Sequence, residues 1–235
     1  MMNWLTRLLR RPADAGPGRR VLAALPHAPV PAEARLQDCR FVVVDVESTG
    51  LNVQKDLLIS IGAVAIEKEQ VRLADQFEAI LAQPRADTRD TVLLHGLGGE
   101  AIASGEDPAT VLLRFYQWSG PAIFLAFHAG FDRSMVERTT REQFGLVPVR
   151  EWLDIAHCLP TLFPALREGR HSLDDWAECF GLANHARHEA AADAFVTAEL
   201  ALVTLRAARH NGLVTVADLQ KKVKLYQQLQ QMKSI

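Results

Sequence analysis

The fold of this chain is decided by the stretch Phe41-Val42-Val43-Val44-Asp45-Val46-Glu47-Ser48-Thr49-Gly50. It reads as a buried β-strand interrupted by two carboxylates. Because side chains two apart on a strand point to the same face, Asp45 and Glu47 would lie side by side against an apolar sheet. Two like charges there require a cation, and their oxygens suit a hard divalent ion such as magnesium or manganese. The alternative is an edge strand whose acids face water.

The composition is that of an ordinary soluble globular protein and names no function. The 235 residues fit one sizeable domain with extensions or two small ones. A net charge of −2 argues against binding of nucleic acid through the overall charge of the protein. A polyanionic substrate would have to bind to a local group of basic residues. The three cysteines (Cys39, Cys158 and Cys179) are too scattered for a disulfide framework or a zinc site, which favours a reducing, cytoplasmic setting. No stretch approaches a membrane span of about 18 apolar residues.

Composition divides the chain into three segments. Residues 1–35 are predicted to be a basic, Pro- and Ala-rich tail, residues 36–210 the ordered domain, and residues 211–235 an amphipathic helix. The tail and the C-terminal helix are both candidate surfaces for a protein partner, and the helix has the alternative of packing on its own domain.

Hydrophobic periodicity predicts a mixed α/β domain. Strands are expected at about 40–46, 57–67, 70–81, 121–127 and 149–153. Helices are expected from Pro108 and at about 131–144, 154–163, 172–180, 189–209 and 215–233. The polar break between the second and third strands is short enough for a hairpin. An antiparallel start followed by alternating strands and helices predicts a mixed sheet covered by helices.

Two further acids stand where a metal site would need them. Asp132 follows the strand at 121–127 and opens a helix. Asp193 lies early in a helix whose neighbouring residues are alanines, and their small side chains would let this helix approach another element closely. A packed helix that carries one acid into a site fits this pattern better than an exposed helix.

These acids stand in an ordered set of motifs. The sequence resembles the DnaQ-like 3′-to-5′ exonucleases of the DEDDh type, the family of the proofreading epsilon subunit of bacterial DNA polymerase III. The family's D-x-E-T-T-G stands as 45–50, its H-N-A-x-F-D as Phe127-His128-Ala129-Gly130-Phe131-Asp132, and its H-x-x-x-x-D as 188–193. Shorter matches are His95-Gly96-Leu97 and His171-Ser172-Leu173-Asp174, and the likeness spans about 40–205.

The resemblance implies a fold and a reaction. The expected fold is a ribonuclease H-like mixed five-stranded sheet covered by helices. The expected reaction is hydrolysis of phosphodiester bonds from the 3′ end of DNA, at single-stranded or frayed ends, with release of nucleoside 5′-monophosphates. By resemblance the cofactors are two divalent ions, Mg²⁺ or Mn²⁺. Their ligands would be Asp45, Glu47, Asp132 and Asp193, with His188 as the general base.

The resemblance also implies contacts to the terminal nucleotide. His95 and the turn Ser48-Thr49-Gly50-Leu51 would hold it, with Leu51 against the base and backbone N–H groups on the sugar end. Stacking and backbone contacts accept any sequence, so little base specificity is expected.

One motif departs from the family pattern. Phe127-His128 stands where the family has His-Asn, so either His128 substitutes for the asparagine that braces this loop, or the loop differs. Asp154 either supports the site from behind or caps a helix, and the sequence does not separate these roles.

Two alternatives to a DNA exonuclease stay open. The first is an exoribonuclease that trims RNA 3′ ends, because a few contacts to the 2′-hydroxyl decide that preference. The second is a non-catalytic nucleic-acid or protein interaction module on the same fold. A P-loop enzyme is not indicated, since no glycine-rich loop ending in Lys-Ser/Thr occurs.

Overall fold

The computed structural model describes residues 16–26, 29–83, 99–183 and 189–233. Over these ranges the strands are β1 (Phe41–Ser48), β2 (Leu58–Glu67), β3 (Gln70–Ile80), β4 (Ile123–Ala126) and β5 (Trp152–Asp154). The α-helices are α1 (Pro17–Ala24), α2 (Gly99–Ala103), α3 (Pro108–Ser119), α4 (Gly130–Phe144), α5 (Ile155–Leu162), α6 (Leu173–Cys179), α7 (Ala190–His210) and α8 (Val216–Lys233). None of these helices is both long and apolar enough to cross a membrane.

The strands form one sheet in the order β3-β2-β1-β4-β5. The pairs β1–β2 and β2–β3 are antiparallel, whereas β4 runs parallel to both β1 and β5. The predicted hairpin joins β2 to β3 through Lys68 and Glu69, which both have positive φ, as a two-residue hairpin turn requires. The predicted mixed five-stranded sheet covered by helices is therefore confirmed.

The central strand β1 separates two apolar layers. Phe41 and Val43 pack in the core that includes α5, α6, α7 and the start of α8, while Val42 and Val44 pack in the core that includes α1, α3 and α4. Because side chains alternate along a strand, Asp45 shares the face of Phe41 and Val43. This alternation directs the acids of β1 toward α7.

Helix α1 lies inside the segment that composition assigned to the tail. Its Leu22 is fully buried in the core beside α3 and α4. Arg150, itself buried, donates a hydrogen bond of 3.1 Å to the carbonyl of Pro26, just after the helix. Ordered structure thus begins before residue 36, and residues 1–15 lie outside the described ranges.

The first turns of α8 pack on the domain. Val216 and Leu219 are buried, and the N–H of Val216 donates to the carbonyl of Ala34. Further along the helix, Leu225 and Leu229 are about half exposed. The start of the predicted C-terminal helix is thus anchored by its own chain, whereas its later turns keep apolar side chains at the surface.

Candidate metal centre

Three carboxylates meet at the end of β1. Asp45, Glu47 and Asp193 each offer an oxygen, and these oxygens lie within 4.8 Å of one another. Glu47 and Asp193 are buried, and Asp45 is partly buried. Like charges so close together favour a divalent cation between them, and a set of oxygen ligands suits hard ions such as Mg²⁺ or Mn²⁺. These residues fit a divalent metal site.

Asp193 reaches this cluster because α7 rests directly on the sheet. Gly62 of β2 pairs with Asp45, and a Cβ built on Gly62 would lie 2.2 Å from the carbonyl carbon of Ala190. Only a glycine fits at this distance. The alanine-rich start of α7 was expected to approach a neighbour closely, but its glycine counterpart was missed. A glycine inside a buried strand is the signal that would have found it.

Asp132 is attached to β1 beside the cluster. Its Oδ1 accepts a hydrogen bond of 3.1 Å from the N–H of Val46, the residue between Asp45 and Glu47. Burial raises the pKa of Asp132 to about 7; the nearby charge of Asp154 adds to the rise, while backbone hydrogen bonds oppose it. A bound cation would favour the ionised form. All four acids predicted as metal ligands thus lie around the end of β1.

Asp154 caps a helix and also contacts the second motif. Its Oδ1 accepts from the N–H of Ala156, capping α5, and from the N–H of His128 at 3.0 Å. The other carboxylate oxygen of Asp154, Oδ2, lies 3.2 Å from His157 Nδ1, and this hydrogen bond raises the pKa of His157. His128 has φ of 62°, a left-handed conformation that histidine and asparagine adopt more readily than most residues. A histidine therefore fits the position where the resembled motif has asparagine.

The turn after β1 is internally hydrogen-bonded. The Ser48 hydroxyl donates to the carbonyl of Gly50 at 2.6 Å, and the Thr49 hydroxyl accepts from the N–H of Leu57 at 2.9 Å. Leu51 is 89% exposed. The turn therefore presents a leucine to solvent on a braced backbone, next to the carboxylate cluster.

Asp56 holds this turn and was not predicted. Its carboxylate accepts from the N–H of Asn52 at 2.7 Å and from the Thr49 hydroxyl at 3.3 Å. Gly50 lies so close that an added Cβ would be 2.7 Å from Oδ2 of Asp56. Arg138 of α4 donates to the Asp56 carbonyl, which links the turn to the helix that carries Asp132. Nothing in the polar loop sequence marks Asp56 among its neighbours.

Two predicted site residues lie outside the described ranges. These are His188, the predicted general base, and His95, a predicted contact to the terminal nucleotide. Helix α7 begins at Ala190, shortly after the first of them.

Comparison with known proteins gives the chain a family. The RNase T model, described as an exonuclease, matches residues 42–201. The curated relatives include the PolC-type DNA polymerase III of Staphylococcus aureus, which is 28% identical over 204 residues. That match covers 85% of this chain, which spans only 14% of the length of the polymerase.

Solved structures share the fold. Escherichia coli exonuclease I in complex with a dT13 oligonucleotide has a TM-score of 0.59 at 17% identity, over 73% of this chain and 42% of that chain. The nuclease domain of 3′hExo, a DEDDh family member bound to rAMP, has a TM-score of 0.62 at 14% identity, over 74% of this chain and 94% of that one. With the family match over 42–201, these observations show that the chain belongs to the DnaQ-like exonuclease family that the RNase T model describes.

Proposed function

We propose that this protein is a metal-dependent 3′-to-5′ exonuclease that removes nucleotides from single-stranded or frayed 3′ ends of DNA and releases nucleoside 5′-monophosphates. The observation that carries the proposal is the meeting of Asp45, Glu47 and Asp193 within 4.8 Å, beside the anchored Asp132. Membership of an exonuclease family supports phosphodiester hydrolysis as the reaction at this acidic cluster.

In this proposal the four acids hold two divalent ions, Mg²⁺ or Mn²⁺. When bound, such ions stabilise negative charge on the phosphate and on the departing 3′ oxygen. The protein's own contribution is to hold the acids in place before metal arrives: the hydrogen bond to Val46 fixes Asp132, and the contact at Gly62 fixes the start of α7.

His188 is the proposed general base. It stands five positions before Asp193 and just ahead of α7, so it belongs to the segment that leads into the cluster. A neutral imidazole accepts a proton near neutral pH, which is the task that an attacking water requires.

The turn Ser48-Thr49-Gly50-Leu51 is proposed to bind the terminal nucleotide together with His95. The exposed Leu51 offers an apolar contact to a base, and the braced backbone offers N–H groups to the sugar and phosphate. Contacts of these kinds do not read the base edges, so the enzyme should accept any sequence.

DNA is the proposed substrate, and RNA is the second candidate. DNA is favoured by the similarity to a DNA polymerase and by the oligonucleotide bound in exonuclease I. The rAMP bound to the 3′hExo nuclease domain is the observation that favours RNA. All three cysteines of the chain are free thiols, which supports a reducing, cytoplasmic location in this proposal.

The test is digestion of matched single-stranded DNA, duplex DNA and RNA with Mg²⁺ or Mn²⁺, labelled at either end. The native protein should shorten strands stepwise from the 3′ end and release 5′-monophosphates, and Asp45→Ala should not. Asp38→Asn, an exposed acid near the start of β1, is the matched control and should keep native activity. Internal cleavage, shortening from the 5′ end or no metal-dependent cleavage of any substrate would overturn the proposal. The faster substrate decides between DNA and RNA.

A further inference from the structure

A groove of roughly 750 Å³ runs from the second motif toward the C-terminal helix. We call it the basic groove and define it by His128, Arg167, Arg170, His171, Tyr226 and Gln230. It starts at His128, whose N–H is held by Asp154 near the carboxylate cluster. It passes over the face of α5 that carries Ala156 and Pro160, and it ends against α8. The groove thus leads away from the candidate metal centre.

The groove contains two arginines without an acidic partner. In the part of the chain that the structure describes, neither Arg167 nor Arg170 forms an ion pair, whereas Arg40 pairs with Glu67 and Asp75. Arg170 instead donates to backbone carbonyls, at Leu166 and Glu168. Both guanidinium charges therefore remain available to an anion.

Among the described residues, one carboxylate lines the groove and two more line the depression beside it. Glu168 is the carboxylate found among the described residues that line the groove. Asp175 and Glu178 lie near Arg170 in the adjoining depression. The N–H groups of His171 and Ser172 donate to the Asp175 carboxylate and lower its pKa to about 2, so this carboxylate stays ionised. Within the groove itself the two arginines outnumber the one described carboxylate, so the described lining carries one excess positive charge in a chain whose net charge is −2.

The far wall of the groove is aromatic. Tyr226 of α8 lines it and is partly exposed, and Trp176 contributes a buried ring. Lys222 lies one helical turn before Tyr226 on α8 and is exposed, so it adds positive charge near the same wall. Positive charge beside an accessible aromatic ring is the combination with which proteins bind single-stranded nucleic acid without reading its sequence.

We propose that the basic groove binds the part of the substrate strand that lies on the 5′ side of the scissile bond. Arg167 and Arg170 contact its phosphates, and Tyr226 stacks on one of its bases. The groove begins beside the candidate metal centre, so a strand whose 3′ end lies in that centre can continue directly into it. This inference rests on the proposed exonuclease function, and it makes the C-terminal helix a wall of the substrate site.

The first experiment measures binding of a fluorescent twelve-nucleotide single strand in EDTA, where no metal-dependent cleavage interferes. The double variant Arg167→Ala/Arg170→Ala should bind about tenfold more weakly than the native protein. Its plot of log affinity against log salt should be shallower by about 1.4, since each phosphate contact to a single strand contributes about 0.7. The control Arg72→Ala/Arg141→Ala removes two exposed arginines elsewhere and should keep native affinity.

A second pair of variants tests the stacking contact. Tyr226→Ala should also weaken binding of the same strand about tenfold, and Tyr226→Phe should restore it because phenylalanine keeps the ring. Thermal melting of each variant checks that α8 stays folded. Equal affinity of the native and double-arginine proteins, equal loss in the control, or no measurable binding by the native protein would overturn the inference.

A final comparison separates this inference from the proposed function. Hydrolysis of the same strand is compared with hydrolysis of the 4-nitrophenyl ester of thymidine 5′-monophosphate, which is too short to enter the groove. The kcat/KM for the strand divided by the kcat/KM for the ester should fall about tenfold in the double-arginine variant. An unchanged ratio would overturn the inference that the groove binds the strand. If the native protein binds the strand but hydrolyses neither compound, the proposed exonuclease function is refuted. The binding measurements would then still decide whether the groove binds the strand.

Discussion

Asp132 accepts a hydrogen bond from the backbone N–H of Val46, at a point where β1 has lost its parallel neighbour. The pairing of β1 with β4 ends at Val43. Beyond it, a side chain from the first turn of α4 accepts the hydrogen bond from the β1 backbone. One carboxylate thus joins helix to strand and adjoins the acidic cluster. Substitutions at Asp132 can separate these two roles.

Asp132→Asn should keep the fold and lose the activity. The amide oxygen can still accept from Val46, whereas a neutral amide is a far weaker ligand for a divalent ion. Asp132→Ala should lose both, because a buried N–H without a partner costs about 1–3 kcal/mol of stability. Urea unfolding and metal-dependent hydrolysis measure the two effects. Near-native hydrolysis by Asp132→Asn would show that this acid is not needed for catalysis.

Gly62→Ala should impair the site from the opposite side of the cluster. The added methyl group would meet the backbone of Ala190 at 2.2 Å, so the start of α7 must move and carry Asp193 with it. Overpacking of this kind typically costs about 1–3 kcal/mol of stability. Metal affinity, measured by calorimetry, should fall together with hydrolysis. Gly130→Ala, where an added Cβ meets nothing within 4 Å, serves as the stability control.

Asp56→Ala should weaken substrate binding more than the chemical step. Without the carboxylate, the bonds to Thr49 and Asn52 are lost and the exposed Leu51 is no longer held on a fixed turn. We expect KM for an oligonucleotide to rise about tenfold, the scale of one or two hydrogen bonds of about 1 kcal/mol each. Metal affinity should stay native, and Asp56→Asn should restore part of the loss. A fall in kcat without a change in KM would contradict this positioning role.

The start of α6 should contribute a pH-dependent part of the stability. Hydrogen bonds from the N–H groups of Ser172 and His171 lower the pKa of Asp175 to about 2, below the value of about 3.9 in an unfolded chain. The contribution is therefore complete above pH 4 and is lost as the pH falls toward 2. The difference in Tm between the native protein and Asp175→Asn should shrink over that range. A constant difference from pH 7 to pH 2 would contradict it.

Local pattern was sufficient to predict the sheet and the faces of β1. Alternation in 41–47 predicts that Asp45 and Glu47 share a face, and the alanines of α7 indicate a close helix–sheet contact. The capping box of Ser172 and Asp175 is likewise formed by two residues that stand three positions apart. These features depend on residues that are close in sequence.

Contacts between distant segments could not be read in the same way. Leu22 is the one buried residue of the eight-residue α1, and the tail-like composition around it hid this helix. The hydrogen bond that Arg138 donates to the backbone carbonyl of Asp56 joins α4 to a loop many residues before it, and neither residue belongs to a motif. The strand predicted at 149–153 is found at Trp152–Asp154, because its bounds are set by pairing with the short β4.

The irregularity between Glu47 and Ser48, where the pairing of β1 with β2 shifts register, limits where this chain can change in length. An insertion or deletion of one residue before this point would turn Asp45 and Glu47 toward α3 and α4 and bring valines to the metal side. Beyond it, the side chains of the turn that carries Leu51 no longer alternate between the two faces of the sheet. Evolution can therefore lengthen or shorten the turn after β1 without moving the acids, whereas the strand before it admits no change in length.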